Sequence, residues 1–381
     1  MELKNIFGNY TTPFYVFDFD KVNERVEEIL EKLPDNTKLC YAIKANPFLL
    51  HTLRYNKKVL FEVCSEGELQ ICKKLNLDPE QIVFSGVMKN KKMLIDAVDY
   101  GVKVITIESL AHLTDLIAIL PQEKVQNIII RISSGNQFGM EVADFYKAYE
   151  QIKDNSNIQI DGIQYFSGTQ KKKSKIIEEV NYLEQLIDEV LKNTNLKDLY
   201  IEYGPGLSFD YFNKDSSRNY SDLLELSAEI SKSKHKYVIE MGRYIASPCG
   251  EYYSRICDKK NNNGINYLII DGGINHINYY GQLMGMKIPP FELLANSLVD
   301  DNYDDYCVCG SLCTVADVIT KKVTLPRCEI GDYFRFYNIG AYSISEGIYL
   351  FLSHDLPMVI AKNKNEYTIL RNFQSTYTIN C

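Results

Sequence analysis

Residues 38–47 read KLCYAIKANP. Leu39, Cys40, Tyr41, Ala42, Ile43 and Ala45 make a short apolar run, the pattern of a strand buried on both faces, and Asn46-Pro47 stops it. Strands covered on both sides belong to parallel sheets flanked by helices. Lys44, near the end of this run, is either a surface stub or a reactive amine held over a cavity. The rest of the chain decides between the two.

Seven similar runs follow, bounded by turn residues, at 59–65, 82–86, 102–109, 127–133, 160–166, 199–204 and 237–242. Segments with helical spacing lie between several of them: EGELQICKKLNL, NKKMLIDAVDYG and SKIIEEVNYLEQLIDEVLKN. Regular alternation of strand and helix points to a parallel sheet, and eight units in about 200 residues fit a closed (β/α)8 barrel, of the TIM type. From about Ser247 helical patterns become scarce. Short strands punctuated by Gly, Asp-Gly and Asn-Asn turns dominate, as in an antiparallel β-sandwich or barrel. The early run PFYVFDFD reads as a strand of that second domain. The expected division is therefore a barrel over 22–244 and a β domain made of 1–21 and 245–381.

The bulk properties narrow the function. The 381 residues are 45% hydrophobic and 24% charged, which suits a folded soluble chain with a large core. A net charge of −8 argues against a nucleic-acid partner, which calls for a basic face. Ten cysteines show no CxxC and no Cys/His pair at zinc spacing, so reduced thiols, no metal and a cytoplasmic location are expected. The N-terminus lacks the order of a signal peptide, and no apolar run approaches the roughly 18 residues that span a bilayer.

In such a barrel the chemistry gathers where the strands end. Read at those ends, the sequence offers Lys44, Glu62, Arg131, the stretch FSGTQ with Thr169, the turn Gly204-Pro205-Gly206, and EMGR with Glu240 and Arg243. A glycine-rich turn after a strand lets backbone N–H groups approach a phosphate. Thr169 adds a hydroxyl, and Arg243 suits bidentate pairing with phosphate. Glu240, on a buried strand, needs a cationic partner, and a protonated pyridine nitrogen is one. Each residue also has a structural reading: a plain strand-to-helix turn, a helix cap, an ion pair. Taken together, an amine, an acid and a phosphate nest fit pyridoxal phosphate, with the apolar surroundings of Lys44 lowering its pKa for Schiff-base formation.

The stretches YAIKANP, FEVCSEGEL, FSGTQ, YGPGL, EMGRYIASPCG, GSLCTVAD and GAYSIS, in this order, resemble the motifs of the fold-type III pyridoxal-phosphate decarboxylases. That group includes diaminopimelate and ornithine decarboxylases and is related to alanine racemase. The resemblance implies that Lys44 is the Schiff-base lysine, that Glu62 and Arg131 lie beside it, and that Glu240 faces the pyridine nitrogen. It implies that Thr169, Gly204, Gly206, Arg243 and Tyr342 bind phosphate and that Gly242 also lies at the cofactor. Cys313 matches a cysteine lent to the partner subunit's site in a homodimer. Thr314, Asp317, Asp271 and Asn275 fall at substrate-side positions.

Three departures bear on substrate. Phe166 stands where the decarboxylases of basic amino acids stack a histidine on the cofactor ring. Thr314 stands where they place an acid for the distal ammonium; its loss forfeits a charge-assisted hydrogen bond of about 1.5–3 kcal/mol. The stretch IDGGINHINYYGQLMGMKIPP looks like a divergent subgroup that includes decarboxylases of glutamate carried on an acyl-carrier protein. The expected activity is α-decarboxylation of an amino acid lacking a free distal amine or tethered to a carrier. Diaminopimelate decarboxylation is the alternative, and a racemase or a non-catalytic cofactor carrier are rivals of other classes.

Overall fold

The computed structural model describes residues 10–282, 285–295 and 302–381. The chain divides into two compact units, one of residues 23–208 and 219–244, the other of residues 1–22, 209–218 and 245–381. Part of the IDGGINHINYYGQLMGMKIPP stretch lies outside the described residues.

The first strand, β1 (Phe14–Asp18), belongs to the second unit. The next eight are β2 (Thr37–Ala42), β3 (Val59–Val63), β4 (Ile82–Phe84), β5 (Val104–Ile107), β6 (Gln126–Arg131), β7 (Ile158–Phe166), β8 (Tyr200–Gly204) and β9 (Lys236–Met241), and they close into a parallel barrel. The expected barrel is thus present. Its strands end one to three residues earlier than several apolar runs do, because the chain needs those residues to turn out of the rim. The clearest case is β2, which ends at Ala42 and leaves Lys44 on a 3-10 turn, Ile43–Ala45. Asn46 sets this break: its N–H donates to Ile43 O at 3.0 Å, and its side-chain oxygen accepts from Phe48 N at 3.0 Å. Pro47 then opens the next turn, where a missing N–H costs nothing.

Cys40, Val83, Val104, Ile129 and Val238, from five of the strands, pack into one buried cluster of the core. The helices between strands start on sequence-coded caps. Ser65 accepts from Glu68 N while Glu68 Oε2 accepts from Cys64 N at 2.6 Å, so helix Glu66–Lys74 begins immediately past the end of β3. Asn90 caps helix Lys91–Tyr100, and Gly101, at φ +84°, closes it.

The second unit holds β10 (Gly250–Asn262), β11 (Ile265–Ile270), β12 (Phe291–Leu294), β13 (Tyr303–Cys309), β14 (Val318–Pro326), β15 (Tyr333–Phe336), β16 (Met358–Asn363) and β17 (Glu366–Arg371). With β1 they form an open sheet in the order β14-β13-β11-β10-β1-β16-β17, with β15 on β10 and β12 on β15. The sheet is mixed rather than purely antiparallel, since β1 runs parallel to β16 and β11 parallel to β13. β1 and β16 come from opposite ends of the chain, and β12 lies between β11 and β13 in the chain, so no tight hairpin fixes the direction of either pair. Phe14 stacks on Tyr253 at 4.9 Å between ring centres, in a cluster with Val16, Met358 and Ile360.

Candidate active site

Barrel closure brings three strands to Lys44. The register sets Ala42 beside Glu62 and Cys40 beside Glu240. Lys44 Nζ lies 2.8 Å from Glu62 Oε2 and 3.8 Å from Glu240 Oε1. Both carboxylates are buried, whereas the lysine side chain is 40% exposed. The apolar setting read from the sequence is therefore corrected: the amine meets two acids at the rim, because the side chain leaves the apolar strand through the turn. Burial, the largest single influence, would raise Glu62, but the charge of Lys44 and the hydrogen bonds of Glu240, Lys44 and Cys64 together outweigh it and hold the carboxyl down at about 2. Burial, and then the charge of Glu62, push Glu240 up to about 8. One acid is thus ionised and the other keeps a proton at neutral pH. Gln164, from β7, donates Nε2 to Glu240 Oε2 at 3.1 Å.

The ends of β7 and β8 make the glycine-rich wall. Phe166 crosses Gly204 so closely that a Cβ there would lie 2.6 Å from its ring. Gly206 adopts φ +59°, and a Cβ on it would sit 2.2 Å from Gly168 O and 3.0 Å from Thr169 Cα. Only glycine fits this concave backbone. Lys171 N donates to Gly206 O at 3.0 Å, locking the loop of Thr169 to the Gly204-Pro205-Gly206 turn. Gly242 packs against the Lys44 turn, its added Cβ 3.1 Å from that of Ala45, and Arg243 begins the short helix Arg243–Ala246. Arg131 is committed elsewhere in part: its guanidinium pairs with Glu108 at 3.2 Å and lies over the Phe138 ring.

Cys313, Thr314, Asp317, Asp271, Asn275 and Tyr342 belong to the second unit. Cys313 and Thr314 are exposed on a loop that Asp317 pins from inside. One Asp317 oxygen accepts from Ile274 N at 2.9 Å and the other from Leu312 N at 2.8 Å. Asp271 accepts from Ser254 Oγ, Arg255 N and Thr12 Oγ1. These two carboxylates hold loops together, so their oxygens face protein donors. Asn275 is buried beside His276, whose other nitrogen meets Tyr252. Tyr342 stands at φ +66°.

Sequence reading missed Lys89, Glu108, Gln164, Lys171 and Glu202. Lys89 is buried and pushed down to about 8 by desolvation, donating to Gly86 O. Lys171 is enclosed by Glu179, Ser167 and Gly204 O. For Gln164 and Glu202 the available signal was a lone polar residue inside an apolar strand, as in GIQYF and YIEYG.

Residues 19–247 match the family described as pyridoxal-dependent decarboxylase, pyridoxal binding domain. The chain is 26% identical to the diaminopimelate decarboxylase of Aquifex aeolicus, over 91% of this chain and 85% of that protein. It is 24% identical to the L-glutamyl-(BtrI acyl-carrier protein) decarboxylase of Niallia circulans, over 97% and 93%. The crystal structure of diaminopimelate decarboxylase from Helicobacter pylori complexed with L-lysine superposes with a TM-score of 0.85 at 21% identity, covering 99% of this chain and 98% of that one. The fold, the acid-flanked lysine and these matches define a fold-type III pyridoxal-phosphate enzyme. The chain belongs to the pyridoxal-dependent decarboxylases and is an amino-acid carboxy-lyase.

The residues present fit that cofactor. Gly206 makes a backbone cradle that any Cβ would fill, and the amine stands against a proton-holding acid.

Proposed function

We propose that the reaction takes place around Lys44, and that this chain removes the α-carboxylate of an amino acid there as carbon dioxide. The observation that carries this reading is one amine held between two buried carboxyls, 2.8 and 3.8 Å away, at the strand ends of a closed barrel. Lys44 would carry the cofactor's covalent link. Thr169, Gly204 and Gly206 would hold its phosphate, joined by Arg243 and Tyr342 on the strength of the motif resemblance, with Gly242 also at the cofactor. Glu240 would face the ring nitrogen, Phe166 would lie against the ring, and Arg131 would stand beside it. When bound, pyridoxal phosphate supplies the electron sink for the Cα–carboxylate bond.

The protein's own groups manage protons. An amine must shed its proton to attack a carbonyl. Glu62 balances the Lys44 ammonium in the free site at 2.8 Å and would take up its proton once the nitrogen carries the cofactor's link. Glu240, pushed up to about 8, holds a proton over the neutral range. Lys44, or Cys313 from a partner subunit, would return a proton to Cα. A homodimer with shared sites goes with that role of Cys313.

Two substrate readings stand. The comparisons back diaminopimelate better: several curated relatives carry that name, and similar solved structures include diaminopimelate decarboxylases. Thr314, where the resemblance leads one to expect an acid, favours a substrate without a free distal amine, or glutamate on a carrier protein as in the name of the Niallia relative. Carbon dioxide release from diaminopimelate, lysine, ornithine, glutamate and carrier-bound glutamate, with product chirality followed together, separates them. Efficient turnover of diaminopimelate ends the second reading, and turnover of carrier-bound glutamate alone ends the first. Loss of optical activity without carbon dioxide would overturn decarboxylation itself.

A further inference from the structure

Glu202 stands on β8 with no exposed surface, and among the described residues neither of its carboxyl oxygens has a hydrogen-bond partner. The register sets it beside Gln164 of β7. The side-chain oxygen Oε1 of Gln164 is also buried and also without a partner, while its nitrogen serves Glu240. β8 lies between β7 and β9, so Gln164 reaches Glu240 past the strand that carries Glu202. Two neighbouring orphans thus complete each other if one of them has a proton to give. An ionised carboxylate has none, whereas a carboxylic acid has one O–H, and an amide oxygen accepts it.

We propose that Glu202 is a neutral carboxylic acid whose O–H serves Gln164 Oε1, directly or through one enclosed water. This contact fixes the direction of the Gln164 amide, so that Nε2 rather than Oε1 meets Glu240. Glu202 and Gln164 are then positioning residues, acting through Glu240. The charged and titratable groups around Glu202 agree with this state. Burial pushes its carboxyl well up, and Glu240 of β9 and Glu62 of β3 push the same way. Arg131 of β6 and the Lys44 amine oppose them without prevailing. Cys40 of β2 and Tyr200 of β8 are both themselves pushed up by burial, so they stay neutral.

The contact is testable without the cofactor. In cofactor-free protein with isotope-labelled glutamate carboxyls, infrared difference spectra between wild type and Glu202→Gln at neutral pH are expected to show loss of a protonated-carboxyl carbonyl band. Loss of a carboxylate band instead overturns the proposal. Should Glu202→Gln not fold, Glu202→Asp serves, with the protonated band moved rather than lost. The positioning role is read separately. With cofactor bound, Glu202→Leu is expected to shift the midpoint of the cofactor's absorbance titration, and Glu202→Gln, which keeps an N–H donor, to restore it. Equal midpoints for wild type and Glu202→Leu overturn that role. What Glu240 does rests on the proposed function, but the infrared result does not, so the two can fail apart.

Discussion

Lys44 is a residue whose meaning changed between sequence and structure. Its place near the end of an apolar run pointed to a neutral amine made by burial, and the structure gives it an ion pair instead. Lys44→Ala is expected to abolish borohydride-stable attachment of the cofactor, checked by mapping the reduced peptide; attachment elsewhere would displace the assignment. Glu240 gives a signed pH dependence. In the folded chain it keeps its proton up to about 8, against an ordinary value of 4.5. The folded state binds the extra proton between these values, so this contribution to stability is complete below 4.5 and is lost as pH rises through about 8. Glu62, held at about 2, runs the other way: its contribution is present above 4.5 and lost as pH falls toward 2. Glu240→Gln should therefore make the fall of Tm between pH 4.5 and 8 shallower in the cofactor-free protein, as scanning calorimetry would read. Gly206→Val forces a branched side chain into φ +59° against Gly168 O. A strain of about 1–3 kcal/mol is expected, with weaker binding of pyridoxal phosphate relative to pyridoxal, measured by fluorescence titration.

At the level of elements, the eight apolar runs were legible because strands buried on both faces leave no polar alternation to confuse them with surface strands. Their ends were less so. Rim residues are chosen for turns and chemistry, and an apolar residue such as Ile43 looks the same in a strand or in the turn that follows it. Gly162 shows a constraint that periodicity hides. A Cβ on it would lie 2.2 Å from Tyr200 O, so β7 and β8 pair closely only without a side chain, next to an irregularity in the β6–β7 register. Gly162→Ala should cost about 1–3 kcal/mol of stability, as overpacked sites do, seen as a lower urea midpoint. An unchanged midpoint would mean that the strands part there at no cost.

For the whole molecule, the proposed sharing of Cys313 between subunits makes a definite statement about size. Sedimentation equilibrium should give twice the 43.9 kDa chain mass, and a monomer with full activity would remove Cys313 from the proton step. The amino-acid sequence by itself determined the order of strands and helices, the amine at a strand end, the glycine-rich turn and the family, since these depend on local periodicity and on motifs read in order. It also made Thr314 and Phe166 the positions on which the proposed substrate readings turn. Only the tertiary structure decided which acids meet. The registers that set Glu62 and Glu240 on either side of Lys44, and Glu202 beside Gln164, join strands up to about 200 residues apart, through pairings that no window of sequence contains. The same long-range packing brings Ser254 to Asp271 and Leu312 to Asp317, because a carboxylate taken out of water needs whatever donors the fold brings to it.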